Sequence, residues 1–330
     1  FSDAINGIWS NNSKYNVFRS DFTMSPQTTA TTSYGIYAIG QTSAINNSVS
    51  IIPNLNGDIN TFSNLRHAMF TNGVESFTSI GNDVDNCTFG IKSNGAVDVK
   101  IDDNTISNFQ TGIGVYDIDV RSTYNFKQIL NNKLNVGIPL DQLSHYGMTG
   151  IDIQNIITHT SPITISKNTI YNSAIGIHGR NATNLTIGVD AGSFNRITDE
   201  MPLDNTFHYG IWMENSSFAR INNNEVKWTG GTVNDPAYLR SHTGIGISRS
   251  LSCTVNGNTI INYGGGFKIF DDCSQTELRC NTMDHCYHGV YFDVNGMNNL
   301  ISPNQGIYTG VQANDVSWNN QWINTLSGVN

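Results

Sequence analysis

The chain has 330 residues and carries 17 Lys and Arg against 26 Asp and Glu, a net charge of −9. Charged residues make up only 13%, about half the usual share, and 45 asparagines supply much of the missing polarity. This balance excludes nucleic-acid binding, which needs clustered basic residues, and no apolar run approaches the roughly 18 residues of a membrane span.

In chain order, Phe1 stands first and no signal peptide follows, so a mature secreted product or a piece of a longer polypeptide is expected. Residues 1–34 are expected to form one irregular N-terminal coil built on Gly7-Ile8. From there Gly followed by Ile, Val or Phe recurs at Gly35, Gly90, Gly112, Gly150, Gly176, Gly210, Gly244, Gly266 and Gly289, with Ala68-Met69 in the same role. A second element, Asn-x-apolar, recurs at Asn60, Asn82, Asn104, Asn132, Asn168, Asn195, Asn224, Asn258 and Asn281. The two interlock: Ala68 to Gly90 to Gly112, and Gly244 to Gly266, are steps of 22 residues. Residues 305–330 are expected to form an irregular tail in which Trp318, Trp322 and Ile323 cover the last coil.

A unit this short cannot bury its apolar face alone, so units must stack. Within a unit the apolar residues alternate, as in Gly-Ile-Gly-Val-Tyr at 112–116, which is strand periodicity. No sustained helical period supplies crossovers. The expected fold is all-β, a right-handed single-stranded parallel β-helix of about 11–12 coils with three short strands per turn. Each Asn of the second column is expected at a bend in left-handed backbone, its amide bonded to the next coil. The cysteines at 87, 253, 273, 280 and 286 show no zinc spacing. They read as small buried residues, with room for one disulfide.

With its interlocked Gly-Ile and Asn columns, the chain resembles the pectin lyase-like superfamily of parallel β-helix repeat proteins, over roughly residues 35–304. The resemblance is to secreted bacterial surface types. It implies the fold and not a function, since that fold hosts lyases, hydrolases, esterases, epimerases, tailspikes and adhesins.

Departures from the 22-residue period mark loops, where solenoids carry function. Much of the extra length falls at 133–149, 198–209 and 227–243, just before a Gly-Ile strand, so these insertions should wall its outer face. Two and four places after the Gly column come the outward residues, including Lys92, Tyr116, Lys268 and Tyr291. At a coil spacing of about 4.8 Å, Asp152, His178, Arg180, Trp212 and Glu214 form one patch. Two carboxylates, an imidazole and a guanidinium with an indole for sugar stacking suggest a saccharide groove. Asp152, His178, Arg180 and Glu214 are the catalytic candidates. Trp212, Tyr116, Lys268, Tyr291, His208 and His242 are the ligand-binding candidates. The bland reading of the same patch is an ordinary surface ion pair of Arg180 with Glu214 or Asp152.

His208 and His242 should stack on adjacent coils, but no carboxylate at a fixed spacing completes a metal site. The catalytic strings of polygalacturonase-type hydrolases and alginate epimerases are not intact. Asp271-Asp272 resembles one piece, and Asp102-Asp103 suggests that such pairs are turn chemistry here. No cofactor is expected; Ca2+ would be compatible, yet no motif asks for it. The leading expectation is a non-catalytic structural or adhesive module of a secreted bacterial surface protein, binding polysaccharide or cell-surface glycan and continuous with a larger polypeptide. The alternatives are a polysaccharide lyase or glycoside hydrolase using the patch, and a tailspike-like trimer.

Overall fold

The computed structural model describes residues 6–24, 33–40, 47–54, 56–120, 127–136, 148–158, 162–200, 207–230, 241–293 and 320–323. Among these every regular element is a strand. The strands form one sheet of ten and one of twenty-one, all neighbours in the register being parallel. The larger sheet has two faces, because the strands Asp83–Asn94 and Thr105–Tyr116 round the corner unbroken. The result is a three-sided parallel β-helix. Ten strands of the smaller sheet mark ten coils, and His288–Asp293 with Gln321–Ile323 adds an eleventh.

Period-two alternation fills the bore. Ile113, Ile151, Ile177, Ile211 and Ile245 lie in register on successive coils and are fully buried. Burial of one such side chain is worth about 1.5–3 kcal/mol. The Gly column is explained by the corner it occupies. A Cβ on Gly210 would lie 2.0 Å from the Val226 side chain and 2.7 Å from the Gly244 carbonyl oxygen. At Gly176 and Gly244 it would meet Ile197 and Ile260 in the same way. The glycines therefore let one face of the coil close onto the apolar column of another.

The Asn column forms a continuous internal ladder. Asn132 Nδ2 donates to Asn168 Oδ1 at 2.9 Å, Asn168 to Asn195 at 2.9 Å, and Asn195 to Asn224 at 2.9 Å. From Asn104 onward each Oδ1 also accepts from the backbone N–H of the preceding rung, as from Asn132 at 3.0 Å. The ladder runs one rung past Asn281, whose Nδ2 donates to Asn320 at 3.0 Å. One expectation is corrected. The left-handed residue is not the ladder Asn but the one before it: Asp103, Asn131, Lys167 and Asn223 have φ of 54°, 55°, 59° and 55°. That reversal turns the following amide inward, where it meets the next rung instead of water.

At the ends, Asn6–Asn11, Tyr15–Val17 and Asp21–Thr23 form a regular coil in register with the second. The strand Gln321–Ile323 pairs with Thr282–Asp284, continuing the helix where a covering tail was expected. Trp318 lies outside the described residues. The room left for a disulfide is not used: all five cysteines are free, and only Cys280 is exposed. Burial pushes the thiols of Cys87, Cys253 and Cys286 up to about 12.

Candidate functional site

The outer face of the Gly-Ile sheet carries two columns that the β-register fixes. One runs Trp9, Tyr37, Phe70, Lys92, Gly114, Asp152, His178, Trp212, Gly246, Lys268, Tyr291. Two residues along lies the other, which includes Asn72, Asn94, Tyr116, Gln154, Arg180 and Glu214. Asp152, His178 and Trp212 are thus strand neighbours, as the spacing predicts.

Asp152 is the hub of the central patch. Its Oδ2 accepts from Tyr116 Oη at 3.1 Å, Gln154 Nε2 at 2.6 Å and Arg180 Nη2 at 3.3 Å. Gly114 makes this possible, because a Cβ there would strike the Tyr116 ring that folds back over it. Burial, reinforced by the Asp152 carboxylate, pushes the Tyr116 hydroxyl pKa up, so that Tyr116 is a hydrogen-bond donor across ordinary pH. Arg180 pairs with Asp152, not with Glu214, which carries no ion pair among the described residues.

His178 Nδ1 stands 3.7 Å from Asp152 Oδ1, too far for a hydrogen bond. Burial, reinforced by Arg180, lowers the imidazole pKa to about 3. His178 is therefore neutral above that pH and a weak proton acceptor. Asp152 is 6% exposed, and its Oδ1, His178 Nε2 and Arg180 Nε are buried without a hydrogen-bond partner among the described residues. Asp152 and Glu214 lie two coils and two residues apart, about 11–12 Å by strand geometry, beyond the separation at which paired carboxyls cleave glycosides.

Trp212 is half-buried, its indole laid across Gly246. Tyr209 packs against it at 4.6 Å and Phe270 meets it edge-on at 5.3 Å. Lys268 is 3% exposed, with Nζ 4.1 Å from the Phe270 ring centre and 5.8 Å from that of the half-buried Tyr291. The three walls expected beside this face fall largely at 137–147, 201–206 and 231–240, outside the described residues.

The register places His208 and His242 on adjacent coils, their rings stacked at 4.6 Å. Both are below the surface, at 1% and 0% exposure. His208 Nδ1 lies 2.7 Å from Asp199 Oδ2, and His242 Nδ1 lies 3.0 Å from Ser241 Oγ. Asp199, His208 and Ser241 stand at the necks of two successive insertions, so this cluster fastens loop stems. Sequence spacing missed Asp199 because it sits across the corner from His208. Among the described residues no three of His, Cys, Asp and Glu gather to hold a metal ion. Asp271 and Asp272 are turn residues, bonded to Arg249 Nε at 3.0 Å and to the Ser274 backbone N–H at 2.9 Å.

Missed entirely was an aromatic cluster on the N-terminal coils. Tyr34, His67 and Phe89 stack at 4.8 and 4.7 Å, and Tyr37 stacks on Phe70 at 5.3 Å. Its signal was present in the sequence, since Tyr37 and Phe70 stand two places after Gly35 and Ala68.

The family model described as a right-handed β-helix region matches residues 149–323, more than half of the chain. No curated protein and no solved structure matches the chain. The matched segment holds Asp152, Gln154, His178 and Arg180 of the central patch but not Tyr116, together with the Trp212 shelf and the ladder from Asn168 to Asn320. The chain belongs to the right-handed β-helix family.

Proposed function

We propose that the chain is a structural, adhesive module of a secreted surface protein that holds a glycan on the outer face of its Gly-Ile sheet without cleaving it. The observation that carries this reading is the contrast along one column. Asp152 is buried with three donors on a single oxygen, and His178 is held neutral. The Trp212 indole, by contrast, lies flat and half-open on Gly246. A flat indole offers its face to sugar C–H groups, whereas Asp152 spends one oxygen on holding Tyr116, Gln154 and Arg180 in place and keeps the other, Oδ1, buried and unpartnered. The stacked coils and the internal ladder support a rigid scaffold for this face.

Trp212→Ala tests the reading. Saccharide affinity should fall by roughly tenfold, the scale of one lost aromatic contact, with the strand content of the native chain retained in circular dichroism. Affinity that survives the substitution removes the shelf from the account. Polysaccharide cleavage lost in Arg180→Ala would replace the binding reading with a lyase or hydrolase. A trimer in light scattering would favour a tailspike-like assembly.

A further inference from the structure

The aromatic cluster on the N-terminal coils lies four to six coils from the Trp212 shelf and shares no residue with it. Its rings come from two register columns, Tyr34, His67 and Phe89 in one and Tyr37 and Phe70 in the next. Tyr34 bridges the columns, with its ring centre 4.7 Å from that of Tyr37. The rings therefore pave a continuous platform over adjacent strands, and Trp9, 66% exposed, extends it by a coil.

Lys92 closes the platform at its C-terminal edge. Its Nζ sits 5.3 Å from the Phe70 ring centre, 5.0 Å from Phe89 and 5.2 Å from Tyr116. The ammonium forms no ion pair among the described residues; Arg66, Asp117 and Asp152 act on it only through their fields, so that Arg66 adds a second positive charge beside the platform. Aromatic faces stabilise a cation incompletely. A half-buried ammonium resting on three rings is therefore charge-complementary to an incoming anion. Beside the platform, Asn94 Nδ2 donates to Asn72 Oδ1 at 2.8 Å, leaving amide groups along the same edge for hydroxyls. Rings, amides and one fixed cation suit a sugar ring bearing an anionic group. The chain's net charge of −9 and the scarcity of cations at the platform, Lys92 and Arg66, disfavour a polyanion such as nucleic acid.

We infer that Tyr37, Phe70, Phe89 and Lys92 form a separate subsite for a saccharide ring carrying a carboxylate or sulfate. The inference takes its ligand class from the glycan reading above, but none of its residues.

Titration calorimetry of the full chain at low salt tests it. The probes are a neutral β-glucan hexasaccharide, the same chain oxidised to carboxylates at C6, and its sulfated form. The anionic forms should bind about tenfold or more tighter than the neutral one, the scale of a hydrogen bond to a charged group. Lys92→Met should erase that preference and Lys92→Arg should keep it, while Phe70→Ala weakens all three probes. Trp212→Ala should leave the preference intact. A preference untouched by Lys92→Met, or none in the wild type, overturns the subsite. The glycan reading itself stands or falls separately, on whether any probe binds in a Trp212-dependent way. The carboxylated and sulfated arms distinguish which anionic group the subsite takes.

Discussion

Removal of one rung of the Asn ladder should cost far more than removal of a surface amide. Asn168 is 1% exposed and makes five side-chain hydrogen bonds. It accepts from Asn132 N at 3.0 Å and Asn132 Nδ2 at 2.9 Å. It donates to Ile129 O at 2.9 Å, Ser166 O at 3.0 Å and Asn195 Oδ1 at 2.9 Å. Asn168→Ala strips all five. Asn132 Nδ2 keeps two carbonyl partners, at 3.1 and 2.8 Å, and Asn195 Oδ1 keeps the Asn168 backbone N–H at 3.1 Å. The buried Asn132 N–H has no such reserve. One orphaned buried donor costs about 1–3 kcal/mol, and a water-sized void beside it adds to this, for a total of about 3–5 kcal/mol. Asn94→Ala removes one half-buried hydrogen bond, to Asn72, and should cost about 0.5–1 kcal/mol. Urea unfolding of the two variants, followed by hydrogen exchange on neighbouring coils because solenoids can unfold locally, measures the difference. Equal costs would refute the view that the ladder carries the fold.

Three further outcomes follow from the packing and titration of named groups. Gly210→Ala should lower stability by about 1–3 kcal/mol or more, because the new methyl group meets Val226 and the Gly244 carbonyl; an unchanged melting temperature would contradict the close corner. Burial and nearby cations lower the pKa values of His67 and His178 to about 4 and about 3, so the unfolded chain binds more protons below the ordinary value near 6.5. Stability is then full above about pH 6.5 and falls as pH drops towards 4, by roughly 1 kcal/mol per pH unit for each imidazole. His67→Phe, set between Tyr34 and Phe89, should flatten that slope with little change at pH 8, and an unaltered slope would show that His67 is not the group responsible. A thiol reagent at pH 8 should label Cys280 in the native chain and all five cysteines after unfolding; rapid native labelling of Cys253 or Cys286 would contradict their burial.

Much of the fold was legible because it is written in one-dimensional order. The Gly and Asn columns repeat at a spacing that stacking converts directly into sheets and a ladder. Asp152, His178, Arg180 and Trp212 were placed correctly because a parallel register makes neighbours of residues at equal offsets from the Gly column. What the offsets could not give was the choice of partner. Arg180 takes Asp152, since Tyr116 and Gln154 hold that carboxylate within its reach. Contacts across a corner escaped as well: Asp199 lies on a different face from His208, so no repeat spacing relates them. The left-handed residue was misplaced by one position because Asn tolerates that backbone intrinsically, while the ladder needs Asn for its amide instead. The aromatic platform escaped because Tyr34, His67 and Phe89 stand one place before the Gly column, a position that outward offsets of two and four do not include.

The central claim is that the outer face binds a glycan and leaves it whole. A panel of acidic and neutral polysaccharides, each followed at once for binding and for unsaturated or reducing-end products, tests it most directly. The account predicts saturable binding of at least one member, sensitive to Trp212→Ala, with no product from any. Product formation that disappears in Arg180→Ala or Glu214→Ala would contradict it and make the central patch an active site.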